Sequence, residues 1–251
     1  MSANLNKRYI SVIVPVYNEG TNIAKFIYGL ENSVNIKHEI LIIYDFDEDN
    51  TIPVVKRLKK KFRNIKLIKN IFGSGLIKAC KTGFKKANAD FMVVMPGDLA
   101  DEPKTINEMY EMAKKGYDIV CASRYCKGGK QLGGNLFKSL LSKFAGLTTP
   151  ILLGIPTSDL TNGFKMYNRK IFKKINIESQ GGWEFTMEIL IKAHFLGFKI
   201  AETPSTWKER SSGKSKFKFI KWLPKYIYWY FWGISQRSKL FLNKWMPSSI
   251  E

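Results

Sequence analysis

Apolar and polar positions alternate in two different rhythms along the first half of the chain. Short apolar runs, typical of buried strands, occur at residues 9–16, 39–44, 65–68, 91–95 and 117–122. Between these runs, apolar residues recur every three or four positions, which predicts helices at residues 22–30, 51–62, 76–87 and 105–114. Because strands that are apolar on both faces alternate with helices, the pattern predicts an α/β fold built on a parallel sheet.

Polar and acidic residues follow four of the five predicted strands. They are Asn18 and Glu19, Asp45 and Asp47, Asp98 and Asp101, and Ser123 and Arg124. Each cluster alone is also explained by turns and helix caps, where Asp and Asn are favoured. The carboxyl ends of parallel strands, however, form one ligand-binding edge. Acidic clusters meeting at that edge in a basic protein predict a divalent cation, held by carboxylate oxygens and substrate phosphates.

The net charge narrows the range of partners. The 251 residues include 41 Lys or Arg and 21 Asp or Glu, so the net charge is +20. A hydrophobic content of 45% excludes intrinsic disorder. The positive excess predicts an anionic partner: nucleic acid, an anionic membrane surface or a phosphorylated substrate. No helix-turn-helix, zinc-finger or RNP-like signature occurs in the sequence, so we expect no nucleic-acid partner.

Cysteine usage and hydropathy indicate the compartment. The three cysteines, Cys80, Cys121 and Cys126, have no CxxC spacing and are accompanied by two histidines. This argues against a disulfide framework and against a zinc site. The N-terminus turns polar at once, which argues against a secretory signal. The longest uncharged stretch of the aromatic C-terminal region, residues 226–236, falls short of the ~20 apolar residues of a transmembrane helix. We therefore expect a cytoplasmic protein that does not itself span a membrane.

The C-terminal region, residues 213–251, has a composition of its own. Four of its lysines are spaced by four, three and four, which places them on one helix face: Lys214, Lys218, Lys221 and Lys225. Tryptophans follow that would lie at headgroup depth: Trp222, Trp229 and Trp232. Lysine beside Trp and Tyr is typical of an amphipathic helix in the membrane interface. The alternative is a helix that packs on its own domain or on a second copy of the chain, in a homodimer.

Several motifs resemble those of a known enzyme family. Residues 11–19 (SVIVPVYNE), the acidic turn after the second strand, Asn70-x-x-Gly73-x-Gly75 and the acidic loop after the fourth strand resemble family 2 inverting glycosyltransferases. Residues 123–129 (SRYCKGG), 159–164 (DLTNGF) and 209–216 (ERSSGKSK) are similar to the dolichyl-phosphate mannose synthase branch. That branch transfers a sugar from a nucleotide to a polyprenyl phosphate.

The resemblance implies a fold and a domain organisation. It implies the GT-A fold, a Rossmann-like, mostly parallel sheet flanked by helices, to which the C-terminal pattern described above adds an amphipathic helical appendage. Residues 1–212 would be the catalytic domain and residues 213–251 the membrane-interface segment. We expect the enzyme to be peripheral on the inner face of the membrane.

The resemblance also implies roles for individual residues. The nucleotide would be bound by Pro15, Tyr17, Asn18, Glu19, Asp45, Asp47 and Gly75. The acceptor phosphate would be bound by Arg124, Lys138, Ser142, Arg210 and Lys216. Asp98 and Asp101 would hold Mg²⁺ or Mn²⁺ against the diphosphate, where the cation stabilises the leaving group. The catalytic residues would be Asp98, Arg124 and Asp159.

The chain departs from the family pattern at two places. The usual Asp-x-Asp at the end of the fourth strand is Pro96-Gly97-Asp98, so the first carboxylate is missing and Asp101 would supply the second. The usual Asp-Asp-Gly-Ser after the second strand is Asp45-Phe46-Asp47-Glu48. The sequence therefore fixes neither the base of the nucleotide nor the sugar.

Three functions remain open at this point. In the first, a polyprenyl phosphate, whose second pKa of ~6 leaves a free oxyanion at neutral pH, attacks the sugar without a general base and inverts the anomeric centre. The second is transfer to a glycolipid or polysaccharide hydroxyl, which needs a base such as Asp159 or Glu184. The third is a non-catalytic protein that binds a nucleotide sugar and has lost its metal.

Overall fold

The structure, a computed structural model, describes residues 9–209 and 219–245. The described residues contain nine strands: β1 Ile10–Pro15, β2 His38–Tyr44, β3 Ile65–Lys69, β4 Phe91–Val94, β5 Ile119–Ser123, β6 Lys130–Leu132, β7 Lys165–Asn168, β8 Ile200–Pro204 and β9 Thr206–Lys208. They also contain seven α-helices: α1 Ile23–Ser33, α2 Thr51–Leu58, α3 Leu76–Lys86, α4 Thr105–Lys114, α5 Leu136–Leu152, α6 Glu184–Phe195 and α7 Phe219–Trp245. A 3-10 helix, Arg169–Lys173, follows β7.

A seven-stranded sheet with the order β3-β2-β1-β4-β7-β5-β8 forms the centre of the fold. Neighbouring strands are parallel except that β7 runs antiparallel to both β4 and β5. The strands β6 and β9 form a separate parallel pair. The predicted α/β fold with a mostly parallel sheet is confirmed, and the five predicted strands correspond to β1 to β5.

Helices cover both faces of the sheet, which explains why its strands are apolar on both sides. The helices α1, α2 and α4 pack on one face, against alternate residues of β1 such as Val12 and Val14. The helices α3, α6 and α7 pack on the other face, against Ile13 of β1 and Leu41 of β2. The predicted helices correspond to α1 to α4, although α2 ends at Leu58, because residues 59–61 form a turn.

The predicted C-terminal helix is present as α7, but its central tryptophan is buried. Trp229 is 4% exposed, and its Nε1 donates to Ser179 Oγ at 2.9 Å. The prediction that Trp229 lies at headgroup depth is therefore wrong, because α6 and the loop before it satisfy both its ring and its N–H. Trp222 and Trp232 are half-buried. Lys214, Lys218 and the predicted domain boundary lie outside the described residues.

The helix α7 is also bonded to α5. The hydroxyl groups of Thr148 and Tyr230 form a hydrogen bond at 2.5 Å. The Arg237 guanidinium donates to the backbone carbonyl of Ile151. Within the described residues, no helix is long and apolar enough to cross a membrane.

Packing of α3 on the sheet requires a glycine at position 83. A Cβ atom there would lie 2.3 Å from Ile13 Cγ2, whereas a Cβ at Gly29 of α1 meets nothing within 4 Å. We expect Gly83→Ala to lower the free energy of unfolding by about 1–3 kcal/mol through overpacking. The control Gly29→Ala should raise it by about 0.5–1 kcal/mol, since alanine favours the helix. Urea denaturation measures both, and equal effects of the two substitutions would contradict the packing described.

Candidate active site

The loops that follow β1 and β2 are hydrogen-bonded to each other. Asn18 has a left-handed backbone (φ 54°), and its N–H donates to Asp49 Oδ2 at 3.0 Å. The Glu19 N–H donates to Thr51 Oγ1 at 2.9 Å, at the start of α2. The sequence-predicted pair Asn18 and Glu19 therefore helps to shape the surface at the carboxyl ends of these two strands.

Asp45 connects the loops that follow β2 and β3. Its Oδ1 accepts a hydrogen bond from Asn70 Nδ2 at 2.9 Å, and its Oδ2 accepts one from the Gly75 N–H at 2.8 Å. Gly75 has a φ of 122°, a backbone conformation that residues with a Cβ rarely adopt. One carboxylate thus holds a glycine turn in place beside the end of β2.

Tyr17 and Phe46 form an aromatic pair on these loops, with ring centroids 5.3 Å apart. Asp47 is exposed and forms an ion pair with Lys69 at 2.5 Å. All seven residues predicted to bind the nucleotide lie at or just beyond the ends of β1, β2 and β3: Pro15, Tyr17, Asn18, Glu19, Asp45, Asp47 and Gly75.

A central cavity of about 650 Å³ begins where β4 ends, next to β1 in the sheet. The loops after β4 and β5 and the segment before β7 give it a charged and polar wall that includes Asp98, Asp101, Arg124 and Asn162. The helices α5, α6 and α7 give it a mostly apolar wall that includes Phe144, Met187, Tyr226 and Phe231. The cavity thus has the chemistry of a site for an amphiphile with an ionic head.

Two buried carboxylates stand side by side in the polar wall. Asp98 and Asp101 are each 7% exposed, and Leu99 between them has a left-handed φ of 64°. Asp98 Oδ1 accepts the Ala100 N–H at 3.0 Å, whereas Asp101 Oδ1 has no hydrogen-bond partner among the described residues. Burial, and then the charge of Asp98, raise the pKa of Asp101 to about 7. Asp101 does not cap α4, whose N-cap residue is Lys104.

This carboxylate pair fits a divalent cation. An unpartnered buried oxygen beside a second carboxylate is costly without a counter-charge. Mg²⁺ is commonly held by one or two carboxylates together with substrate phosphates. No group of three or more His, Cys, Asp or Glu that could hold a metal occurs in the described part of the chain. Asp98 and Asp101 therefore suit a cation shared with a phosphorylated ligand.

Arg124 is the cation of the polar wall, and Asp159 holds it there. Nε donates to Asp159 Oδ2 at 2.7 Å and Nη2 donates to Oδ1 at 2.8 Å, a bidentate pair. Nη2 also donates to Ser142 Oγ at 2.9 Å and to Thr161 Oγ1 at 3.1 Å. Although burial opposes it, the charge of Asp159 raises the pKa of Arg124 further above its ordinary value.

Three carboxylates near the cavity accept hydrogen bonds from the protein itself, although Glu184 Oε1 has no partner among the described residues. Asp159 is fully buried and lies behind Arg124, so it positions that side chain instead of lining the cavity. Glu184 is fully buried and accepts the Gly182 N–H at 2.6 Å. Glu188 accepts backbone N–H groups at positions 178 and 179 and pairs with Lys192 at 2.7 Å.

The residues predicted to bind the acceptor phosphate divide into two groups. Arg124, Lys138 and Ser142 all line the cavity, although 18 residues separate Arg124 from Ser142 along the chain. Lys138 and Ser142 are one turn apart on α5, which Asn135 caps by accepting the Lys138 N–H at 3.1 Å. Arg210 and Lys216 lie outside the described residues.

Sequence reasoning missed the apolar wall of the cavity. An apolar residue at helical spacing is normally part of the core, so neither type nor spacing marks it as a ligand contact. The missed residues include Phe144, Trp183, Met187, Tyr226 and Phe231. Asn162 was also missed as a wall residue, although it stands within the motif at residues 159–164.

Comparison with known proteins gives one family and several relatives. The model of glycosyl transferase family 2 matches residues 11–176. The dolichol-phosphate mannosyltransferase of Pyrococcus furiosus is 33% identical over 212 residues, which are 83% of this chain and 59% of that protein. The polyprenol monophosphomannose synthase of Mycolicibacterium smegmatis is 27% identical over 211 residues, 82% of this chain and 79% of that protein. The chain thus spans less than two thirds of the Pyrococcus relative.

Solved structures share the fold. Glucosyl-3-phosphoglycerate synthase from Mycobacterium tuberculosis, in complex with Mn²⁺, uridine diphosphate and glucosyl-3-phosphoglycerate, has a TM-score of 0.66. The likeness covers 91% of this chain and 80% of that chain at 15% identity. It confirms the expected GT-A fold.

The raised pKa of Asp101 predicts a pH-dependent stability of the metal-free chain. Because folding raises this pKa from an ordinary 3.8 to about 7, the folded chain keeps a proton that the unfolded chain has released. The free energy of unfolding therefore declines as pH rises from about 3.8 to about 7, and it levels off above that range. Relative to Asp101→Asn, wild type should lose about 3 kcal/mol of unfolding free energy between pH 5 and pH 8.

Denaturation in the presence of a chelator measures this difference. The exposed carboxylate variant Asp47→Asn serves as the control and should follow the pH dependence of wild type. A gap between wild type and Asp101→Asn that stays constant with pH would contradict the placement of Asp101.

The buried pair of Arg124 and Asp159 predicts a non-additive effect on stability. Arg124→Ala leaves a fully buried carboxylate without its counter-charge, so it should cost about 3–5 kcal/mol. Arg124→Ala/Asp159→Ala removes that charge and should recover part of the loss. The exposed pair of Lys114 and Glu111 provides the control, since Lys114→Ala should cost about 1 kcal/mol or less. A double variant less stable than Arg124→Ala would show that the pair is not coupled in this way.

Proposed function

The chain belongs to glycosyl transferase family 2, and we propose that it transfers a sugar from a nucleoside-diphosphate sugar to a polyprenyl phosphate. The observation that carries the proposal is the division of the central cavity into a charged wall and an apolar wall. A polyprenyl phosphate has the same division, with an anionic head and a hydrocarbon tail. The names of the relatives from Pyrococcus furiosus and Mycolicibacterium smegmatis support this acceptor class.

The phosphate head of the acceptor binds at Arg124, Lys138 and Ser142. Nε and Nη2 of Arg124 donate hydrogen bonds to Asp159, and Nη2 also donates to the Ser142 hydroxyl. Nη1 takes no part in these bonds within the described part of the chain. The Nη1 edge is thus available to a phosphate in the cavity. Lys138 adds a point charge, and the first isoprene units contact Phe144, Tyr226 and Phe231.

The donor nucleotide binds the loops after β1, β2 and β3. The first of these strands, β1, is the neighbour of β4 in the sheet, and Asp98 and Asp101 line the cavity just beyond the end of β4. The two carboxylates would hold Mg²⁺ or Mn²⁺, which supplies electrostatic stabilisation of the leaving diphosphate when bound. A GT-A neighbour solved with Mn²⁺ and uridine diphosphate supports a cation of this kind.

The acceptor phosphate supplies its own nucleophile. A phosphomonoester carries a free oxyanion at neutral pH, since its second pKa is about 6. Attack on the anomeric carbon then depends on positioning and on charge neutralisation by Arg124 and Lys138, and one displacement inverts the centre. Transfer to a sugar hydroxyl would need a general base. Asp159 and Glu184, the candidates for that role, are fully buried and do not line the cavity: Asp159 is paired with Arg124, and Glu184 Oε2 accepts the Gly182 N–H while its Oε1 has no hydrogen-bond partner among the described residues.

The enzyme works as a peripheral protein on the cytoplasmic face of the membrane. Its acceptor is anchored in the bilayer by a hydrocarbon tail, whereas its donor is a water-soluble nucleotide. The net charge of +20 favours an anionic lipid surface. The segment at residues 213–251 remains a predicted membrane-interface segment, and Lys221 and Lys225 are the two lysines of its predicted basic face that lie within the described residues.

A screen of radiolabelled nucleotide sugars with polyprenyl phosphate and Mn²⁺ tests the function. We expect one donor to send label into the organic phase. Asp98→Ala should lower this transfer at least about a thousandfold, because it removes a charge that stabilises the leaving group. Glu111→Ala, an exposed carboxylate on α4, is the matched control and should leave the rate unchanged.

Two results would overturn the proposal. Label that enters a sugar hydroxyl acceptor and never the organic phase would favour the hydroxyl-transfer reaction. If no product forms, and calorimetry gives the same affinity for the nucleotide with and without Mn²⁺, the chain would be a non-catalytic binding protein.

A further inference from the structure

A long basic stretch of the chain surrounds one edge of the central sheet. Residues 50–89 contain twelve Lys or Arg and no Asp or Glu. They include α2, β3 and α3, and β3 is the last strand of the sheet on that side. The two helices pack on opposite faces of the sheet, so basic helices flank this edge on both sides. We call β3 together with the turn before it, residues 59–69, the basic edge.

Most cations of the basic edge have no acidic partner. Lys66 pairs with Glu39 at 2.9 Å, and Lys69 pairs with Asp47 at 2.5 Å. The turn between α2 and β3 adds four exposed cations that form no ion pair within the described part of the chain: Lys59, Lys60, Lys61 and Arg63. The helix dipole accounts for cations in the last turn of α2, but that helix ends at Leu58. Like charges so close together repel one another, and an external anion would relieve this repulsion.

The backbone of β3 is open on the side away from β2. In a parallel ladder, alternate residues of a strand bond to the same neighbour. The Asn70 N–H donates to the Tyr44 carbonyl of β2 at 2.8 Å, so the even-numbered residues of β3 face β2. The N–H and C=O groups of Leu67 and Lys69 therefore point outwards, where the described residues contain no further strand.

The side chains of β3 are also more accessible than those of the strand at the opposite edge. Three of the five residues of β8 are buried, but only one of the five residues of β3 is buried. Leu67 and Ile68 are half-buried. Directly after β3, Ile71 is 48% exposed and Phe72 is 43% exposed. The basic edge thus offers an open backbone, cations and apolar side chains to a partner.

These three features select the kind of partner. A row of N–H and C=O groups is completed by another polypeptide strand, whereas nucleic acid and a lipid surface have no such ladder. Lysines on an edge strand repel an identical edge, which disfavours a second copy of this chain. The turn at residues 59–63 is also remote from the loops assigned to the nucleotide. Those loops follow β3, the turn precedes it, and five extended residues span roughly 16 Å.

We propose that the basic edge binds an acidic, extended segment of another protein, which adds to the sheet as a strand beside β3. The main chain of this segment pairs with Leu67 and Lys69, and its carboxylates meet Lys59 and Arg63. The proposal does not depend on sugar transfer, because residues 59–69 include none of the residues assigned to the donor, the cation or the acceptor.

Fluorescence anisotropy of a short, labelled peptide of alternating Glu and Val tests the proposal. The peptide should bind the full chain, and Lys59→Glu/Arg63→Glu should weaken binding at least about tenfold, because attraction becomes repulsion at two positions. The matched control is Lys115→Glu/Lys199→Glu, which makes the same charge change at exposed positions near the opposite edge strand, β8, and should bind like wild type. Absence of binding to wild type, or an equal loss in the control, would overturn the proposal.

Two further measurements separate strand pairing from attraction between charges alone. A peptide of alternating Glu and Pro keeps the charge but lacks every second N–H, so it should bind at least about tenfold more weakly. Hydrogen exchange at the Leu67 and Lys69 amides should become slower when the Glu–Val peptide is bound. Equal affinity for the two peptides, or unchanged exchange at both amides, would overturn the proposal.

A DNA duplex covers the remaining class of anionic partner. If the duplex binds wild type more tightly than the Glu–Val peptide does, and if Lys59→Glu/Arg63→Glu removes this binding, the basic edge would be a nucleic-acid surface and the proposal would be wrong. Sugar transfer by Lys59→Glu/Arg63→Glu should equal that of wild type, which also shows that the variant is folded. Peptide binding without any transfer would overturn the proposed function alone.

Discussion

A single buried carboxylate organises the polar wall of the cavity. Asp159 accepts hydrogen bonds from the backbone N–H, Nε and Nη2 of Arg124 and from the Asn162 N–H. Asn162 in turn donates to the carbonyl of Ala122 at the end of β5. Lys165 is fully buried in β7, and its ammonium group donates hydrogen bonds to the backbone carbonyls of Leu160 and Asn162. Burial lowers the pKa of Lys165. Because these polar and charged groups are buried together, each is stabilised by its hydrogen bonds to the others, and the loss of one leaves its partners buried and unpaired.

The first half of the fold is readable from the sequence because each strand is covered on both faces. The short, β-branched apolar run at residues 40–43 is typical of a strand that is covered on both faces. The strand β7 escapes such reasoning, since KMYN places a lysine in the centre of a sheet. That lysine is tolerated because the carbonyls of Leu160 and Asn162 meet it, and this is a tertiary contact. The burial of Trp229 has a similar basis, because an aromatic residue beside lysines suits an interface and a core equally well.

The site itself was partly predictable. Strand ends of a parallel sheet converge, so Asp98, Asp101 and Arg124 were expected near one another, and they line one cavity. The family motif has two carboxylates at the end of the fourth strand, and here Asp98 and Asp101 form a pair whose backbone geometry the spacing alone does not show. A left-handed residue, Leu99, lies between Asp98 and Asp101, and the charge of Asp98 acts on the Asp101 carboxyl. The partner of Arg124 was beyond prediction, because Asp159 lies 35 residues away along the chain and only the tertiary fold brings the two side chains together.

The helix α5 exposes several large apolar side chains, and this affects the solubility of the chain in water. Its exposed leucines and phenylalanines favour self-association, and the net charge of +20 opposes it by repulsion. Salt weakens the repulsion, since the Debye length falls from about 10 Å at 0.1 M to about 3 Å at 1 M. Salt leaves the apolar attraction in place. We therefore expect a lipid-free preparation of this chain to become less soluble as the ionic strength rises.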